Sequence, residues 1–266
     1  MTDIGELFGH VRDGTSFHFP LGLHLALPQV FGLQLTKFMV LELLAAALMM
    51  AIFIPLGRKM AAGGPPRGLL WNMFETVLVF LRDEVVRPSI GHEGDRFLPF
   101  VWHIFFFVLF CNLVGILPWA GSPTGALSVT AVLALSTFVM VVAAGMRQNG
   151  IVRFWWNLAP HMDVPLVMAI FLKPLLLFIE FAGLLIKHCV LAVRLLANMF
   201  AGHLVLAVFL SFIAATAGYY VWWLVAPASV LVAVALNLLE LLVAFLQAYI
   251  FAFLAALFIG MAVHQH

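Results

Sequence analysis

Between Phe171 and His203 the chain reads FLKPLLLFIEFAGLLIKHCVLAVRLLANMFAGH, apolar enough to lie in a membrane, yet it carries Lys173, Glu180, Lys187 and Arg194. These four charges recur every seven residues. At ~100° per residue, seven steps fall ~20° short of two turns, so the charges share one slowly drifting stripe on a helix. A charged side chain at the centre of a bilayer costs ~2.5–3.5 kcal/mol on insertion scales. A repeated charge of that kind needs a partner or a watered cavity. The stretch therefore points to charge transfer across a membrane.

The rest of the chain agrees with a membrane setting. Of 266 residues, 65% are hydrophobic and 9% charged, whereas soluble domains carry roughly a quarter charged residues. Residues 38–56, 97–117 and 127–146 each match the ~20 residues that cross a bilayer. Residues 68–87 read as an amphipathic helix suited to the membrane surface, with Leu70, Phe74, Val77 and Leu81 near one face. The two apolar blocks 165–217 and 221–262 are too long for simple spans. As single helices they would extend ~80 Å and ~63 Å, against a hydrocarbon core of ~30 Å. Their internal breakers are few, Pro174 and Pro227, and Gly218 with Tyr219 marks the turn between them. Each block either breaks in two or lies steeply inclined. Inclined helices are the better fit, although ordinary tilts are only ~20°. The expected fold is an all-α polytopic membrane protein of about five crossings, the last two long, steeply tilted and forming an antiparallel hairpin. Three parts follow: an external arm at 1–36, irregular or short-helical; a three-span part at 37–164; and the hairpin at 165–266.

Loop charges set the expected orientation. The 57–96 loop holds six Lys and Arg, the 147–163 loop two and the 118–126 loop none. The positive-inside rule puts the first two in the cytoplasm, the N-terminus outside and the C-terminus, with His264 and His266, inside. A net charge of +1 offers no polybasic surface for nucleic acid. Cys111 and Cys189 lie in apolar segments and read as small buried hydrophobes, not a disulfide framework. His10, His18 and His24 have no ligand spacing on one helix, so no metal site is expected there; His103 and His188 read as core residues. No cofactor motif is present, and no GxxxxGK[ST] loop for nucleotide phosphates. The first 36 residues lack the basic start, apolar core and cleavage site of a removable leader.

Folding the two long blocks into a hairpin about residue 220 sets polar residues of one against those of the other at equal heights. Arg194 then meets Gln247, Asn198 meets Glu240, and His203 meets Asn237. His203 lies nine residues past Arg194, ~180° around the helix, and so points away from the arginine stripe. An acid at similar depth suits it to relaying a proton. Asn198, Asn237 and Gln247 also fit interhelical hydrogen bonding, and Lys173 fits a side chain reaching the membrane surface.

RLLANMFAGH (194–203), with Glu180 and Lys187 upstream, Glu240, Gln247 in LQAYIF and NLVGILP at 112–118, resembles the a subunit of the membrane sector of F-type ATP synthases. The resemblance covers roughly residues 37–262. Ala197 stands where many members have Gly, and the His203 and Glu240 positions are exchanged relative to some relatives. The resemblance implies a stator: two tilted helices beside a rotating ring of c subunits, held by peripheral-stalk b subunits within the larger synthase. It implies two offset aqueous half-channels, with Arg194 between them favouring the ionised ring carboxylate and Gln247 holding the guanidinium. Proton translocation would involve Arg194, His203, Glu240, Gln247, Asn198, Glu180, Asn237 and Lys187. Membrane lipid and protons are the other partners implied, in a bacterial plasma membrane or alternatively the mitochondrial inner membrane. The ion's ligands are expected on the ring, so sodium is not separated from the proton here. The competing readings are a proton-coupled secondary transporter, which should show repeated halves, and an intramembrane enzyme, for which no catalytic constellation is present.

Overall fold

The computed structural model of the chain describes residues 14, 16–18, 24–30, 33–61, 68–117, 121–157 and 166–264. Five of its helices are long and apolar enough to cross a membrane: Lys37–Ala61, Glu93–Gly115, Leu127–Asn149, Leu172–Thr216 and Trp222–Val263. The expected polytopic helical fold, with its last two helices long, is what the chain adopts.

The arm departs from the expected irregular or helical form. β1 (Ser16–His18) pairs antiparallel with β2 (His24–Ala26), Phe17 opposite Leu25, and β3 (Gln29–Val30) pairs with β4 (Leu33–Gln34). Short apolar runs separated by Gly and Pro favour strand pairs over helix. The backbone N–H of Lys37 donates to Gly14 O at 2.8 Å, tying the arm to the first helix.

That helix, α1 (Lys37–Ala61), opens with Thr36 accepting the Met39 N–H at 3.4 Å. Arg58 and Lys59 occupy its last turn, where cations complement the helix dipole. α2 (Leu69–Phe80) runs through a π-helical stretch at Leu81–Val86 into α3 (Arg87–Ile90). Trp102 Nε1 donates to the Leu78 carbonyl at 3.1 Å, next to this widened stretch. The apolar side of the stretch, Leu81, Val85, Val86 and Ile90, is fully buried. Its polar side carries an exposed ion-pair network: Arg87 contacts Asp83 at 3.0 Å and Asp95 at 3.2 Å, and Arg82 also reaches Asp95 at 3.2 Å. This division falls at residues 81–90; of the face expected over 68–87, only Leu81 is buried, Phe74 and Val77 are half-buried and Leu70 is exposed.

α4 (Leu98–Gly115) and α5 (Leu127–Asn149) are the second and third long apolar helices. Two hydroxyls of α5 return to its own backbone, Thr137 Oγ1 donating to Leu133 O at 3.0 Å and Ser136 Oγ to the same carbonyl at 2.7 Å. That keeps them satisfied in an apolar setting. Gly150, at φ 83°, separates α5 from the short α6 (Ile151–Asn157).

The two long blocks are single unbroken helices, α7 (Leu166–Thr216, 51 residues) and α8 (Trp222–Val263, 42 residues), with Pro174 and Pro227 inside them. The turn between them is closed by Tyr219 N to Thr216 O at 2.9 Å and Trp222 N to Tyr219 O at 3.0 Å. Tyr219, Tyr220 and Trp223 are strongly exposed there, and the Trp222 and Trp223 rings meet edge-on at 5.3 Å.

The chain divides into two compact units. The first comprises Met1–Pro66, Phe106–Thr130 and Arg194–Tyr249. Its core includes Phe38, Leu41, Val114, Leu195, Met199 and Phe106, the last packed on Phe53 at 4.5 Å. The inward face of α8 here is built of small residues, Ala226, Ala233, Ala244 and Ala248, which permit close helix approach. The second unit comprises Arg67–Phe105, Ala131–Val193 and Ile250–His266. Within it Asn149 Nδ2 donates to the Ala262 carbonyl at 3.1 Å, and His264 Nε2 hydrogen-bonds Ile90 O at 2.7 Å. His188 is buried between Phe138 and Phe258, its Nδ1 on the Leu184 carbonyl at 2.8 Å, as a packing histidine should be. His103 is exposed, contrary to the core reading. Cys111 is buried as expected, but Cys189 is exposed because it lies on the outward face of α7.

Trp102→Phe removes the indole donor and leaves the Leu78 carbonyl without it. Loss of one such bond should lower stability by about 0.5–1.5 kcal/mol, read as a lower thermal midpoint of the purified subunit in detergent.

Candidate functional site

In the first unit, α7 and α8 present titratable and amide side chains to each other. His203 comes from α7 and Glu240 from α8, with His203 Nε2 3.7 Å from Glu240 Oε1. Both side chains are largely buried, and neither of these two atoms has a hydrogen-bond partner among the described residues. The separation exceeds a direct hydrogen bond, whose usual length is ~2.7–3.2 Å. A water touching both atoms at hydrogen-bond distance fits such a separation. Lys37, buried at the start of α1, lies within electrostatic reach of His203.

Glu240 approaches α7 where the helix has no side chain. A Cβ added at Gly202 would meet Glu240 Oε1 at 3.1 Å and Cδ at 3.3 Å. The glycine next to His203 thus makes room for the carboxylate. Two turns along α8, the fully buried Gln247 accepts a hydrogen bond from Asn198 Nδ2 through its Oε1 at 2.9 Å. Its Nε2 is buried without a partner among the described residues.

These pairings differ from those expected by height alone. Asn198 meets Gln247 where Glu240 was expected, and His203 meets Glu240 where Asn237 was expected. Matching heights along an antiparallel pair ignores helical phase. Glu240 and Gln247, seven residues apart, share the inward stripe of α8, whereas Asn237 lies about 60° to its side and is only half-buried.

Arg194 has the opposite surroundings. It is exposed on α7, four residues before Asn198, and no hydrogen bond or ion pair joins it to a described residue. Gln247, expected to hold its guanidinium, is engaged by Asn198 instead. Glu180 and Lys187 are also exposed on α7, in the second unit. Lys173 stands apart from them: its Nζ lies 4.5 Å from the centroid of the Trp156 ring, a cation–π contact that gives the ammonium a local partner. Among the described residues no group of three or more His, Cys, Asp or Glu side chains is placed to hold a metal ion.

Lys37 and Gly202 were not among the candidate site residues; Gly202 lies inside the RLLANMFAGH motif, where a glycine in an apolar segment was the available signal.

The chain is thus a polytopic helical membrane protein in which an acid and a histidine meet between two long apolar helices, a placement that marks ion and proton pathways in membrane proteins. The family model described as ATP synthase A chain matches residues 39–260, and the chain belongs to that family. It is 42% identical to the ATP synthase subunit a of Chloroherpeton thalassium, over 96% of this chain and 75% of that one. The corresponding subunit of Myxococcus xanthus is 38% identical over 97% of this chain and 88% of its own, and ATP synthase subunit a 2 of Chlorobaculum tepidum is 37% identical over 95% and 71%. Membership of this family identifies a multi-pass, non-catalytic subunit of the membrane sector, whose work is proton translocation.

The Asn198–Gln247 bond yields a direct test. Asn198→Ala and Gln247→Leu should each destabilise the detergent-purified subunit, while the double variant loses less than the sum by about 0.5–1.5 kcal/mol. Additive losses in denaturant titrations would remove the pairing.

Proposed function

We propose that this chain is the stator of a rotary membrane motor, carrying two offset aqueous half-channels separated by Arg194. A proton enters through a path lined by His203, Glu240, Asn198 and Asn237 and passes to a carboxylate on a ring of c subunits. The neutral acid can then face lipid, which an ionised one could not do without a large desolvation cost. After nearly a full turn of the ring the acid releases its proton into the second half-channel, near Glu180 and Lys187. Arg194, effectively always charged, stabilises the ionised ring carboxylate between the channels and repels a proton that would cross directly. Gln247 supports the arginine's helix from α8 through Asn198.

The observation that carries this reading is the contrast within one unit. His203 and Glu240 face each other in the interior with their nearest polar atoms otherwise unpartnered, while Arg194 is exposed without a partner among the described residues. A cation on the outer surface of an apolar helix calls for an anion supplied from outside the chain. The length of α7 and α8 supports a steep inclination, since either helix upright would overrun a ~30 Å hydrocarbon core. The loop charges favour an outside N-terminus and cytoplasmic C-terminus in a bacterial plasma membrane, with peripheral-stalk b subunits holding the stator. One charge crossing 100 mV gains ~2.3 kcal/mol, so rotation must gather several protons for each ATP. The chain itself contributes no nucleotide site.

Membrane vesicles containing the whole synthase provide the test. Arg194→Ala should reduce proton-driven ATP synthesis to background, and synthesis at the native rate would overturn the role of Arg194. His203→Ala and Glu240→Ala should slow proton flux per assembled complex by about 10²-fold or more, the scale of a lost proton-transfer group. Native flux in both would overturn the channel assignment.

A further inference from the structure

A second buried polar system lies in the first unit, away from the His203–Glu240 pair. Asn112 on α4, Thr124 and Ser122 are all essentially buried. Asn112 Nδ2 donates to the backbone carbonyl of Ala244 on α8 at 3.3 Å. Its Oδ1 accepts from Thr124 Oγ1 at 2.8 Å, and Thr124 Oγ1 lies 2.8 Å from Ser122 Oγ. Thr124 has a single hydroxyl proton, committed to Asn112, so Ser122 must be the donor in the remaining bond. The hydrogen bonds therefore all run one way, from Ser122 through Thr124 and Asn112 into α8, an arrangement in which each bond polarises the next.

The outer end of this chain is fixed by the shape of α4. A Cβ at Gly115 would fall 2.6 Å from Ser122 Oγ and 3.0 Å from Ser122 Cα. Only the absence of a side chain at Gly115 lets the 121–126 segment sit there. The inner end reaches Ala244, one turn beyond Glu240 and three residues before Gln247, on the same buried stripe.

We propose that Ser122, Thr124 and Asn112 form a positioning strut that fixes the segment of α8 bearing Glu240 and Gln247, and so sets how Glu240 faces His203. This rests on the proton path proposed above. The strut does not itself carry protons: each of its hydroxyl and amide groups is already engaged, and an amide does not exchange its proton as an acid does. Among the described residues, the charged and titratable groups near Glu240 are His203 on α7 and, within electrostatic reach of His203, Lys37 on α1. A shift of α8 alters the distance between Glu240 and these groups, and with it the pH at which the path takes up and releases protons.

The test uses the assembled synthase in vesicles, with proton flux measured against pH and normalised to the amount of complex. Thr124→Val, which keeps the shape and removes the hydroxyl, should lower flux by about tenfold, the scale of one lost buried hydrogen bond, and displace the pH profile. Ser122→Ala, at the outer end and so safest for folding, should displace it in the same direction by less. Thr124→Ser should restore the native profile, and Gly115→Ala should reproduce the Thr124→Val effect from the other side. The strut is overturned if Thr124→Val and Ser122→Ala both keep the native profile, or if they change only the amount of complex assembled. Glu240→Gln separates the two ideas. Native flux in that variant overturns the proton path, whereas slowed flux with native-like Thr124→Val and Ser122→Ala overturns the strut alone.

Discussion

A polar group withdrawn from water into hydrocarbon must find its partner inside the protein, because the solvent offers none. That requirement explains much of the placement in this chain. Ser136 and Thr137 of α5 fold back on a carbonyl of their own helix. Asn198 reaches Gln247, and Asn112 binds both a loop hydroxyl and a helix carbonyl. Lys173 rests over the face of Trp156. Among the described residues the buried side-chain atoms left without a partner are few: the facing atoms of His203 and Glu240, Gln247 Nε2, His188 Nε2 and Arg82 Nε.

Close packing makes the arrangement possible. Along its inward face α8 alternates small residues with Glu240 and Gln247, so the backbone can come near enough for these side chains to reach α7. Gly202 does the same from α7 by leaving space for the Glu240 carboxylate. Neither glycine nor alanine contributes a polar group, yet without them these side chains would be held apart.

The spans and the hairpin could be read from the chain, because hydrophobic length and a scarcity of breakers are strong signals. The uninterrupted runs around Pro174 and Pro227 became single helices, and the turn fell at Gly218 and Tyr219. Most of the polar residues that meet in the first unit were also visible, since Glu240, Gln247, Asn198 and His203 are out of place in apolar segments. Which residue met which was harder to see. Height along a helix follows from counting, but facing depends on phase and on small changes in how two helices cross, so the expected Asn198–Glu240 and His203–Asn237 pairs gave way to Asn198–Gln247 and His203–Glu240. Cys189 misled for the same reason: an apolar neighbourhood in sequence does not say which side of the helix faces inward. In the arm, runs of two or three residues are too short for either helical or strand periodicity to dominate.

The bend joining the two long helices carries Tyr219, Tyr220, Trp222 and Trp223, three of them strongly exposed. Rings of this kind, apolar in body and polar at one edge, favour the headgroup layer over either the oily interior or bulk water. Such a cluster at the tip works as a float line. It resists both sinking and rising of the hairpin, and because α7 continues unbroken from that tip to Arg194, the vertical position of the arginine is tied to where these rings settle.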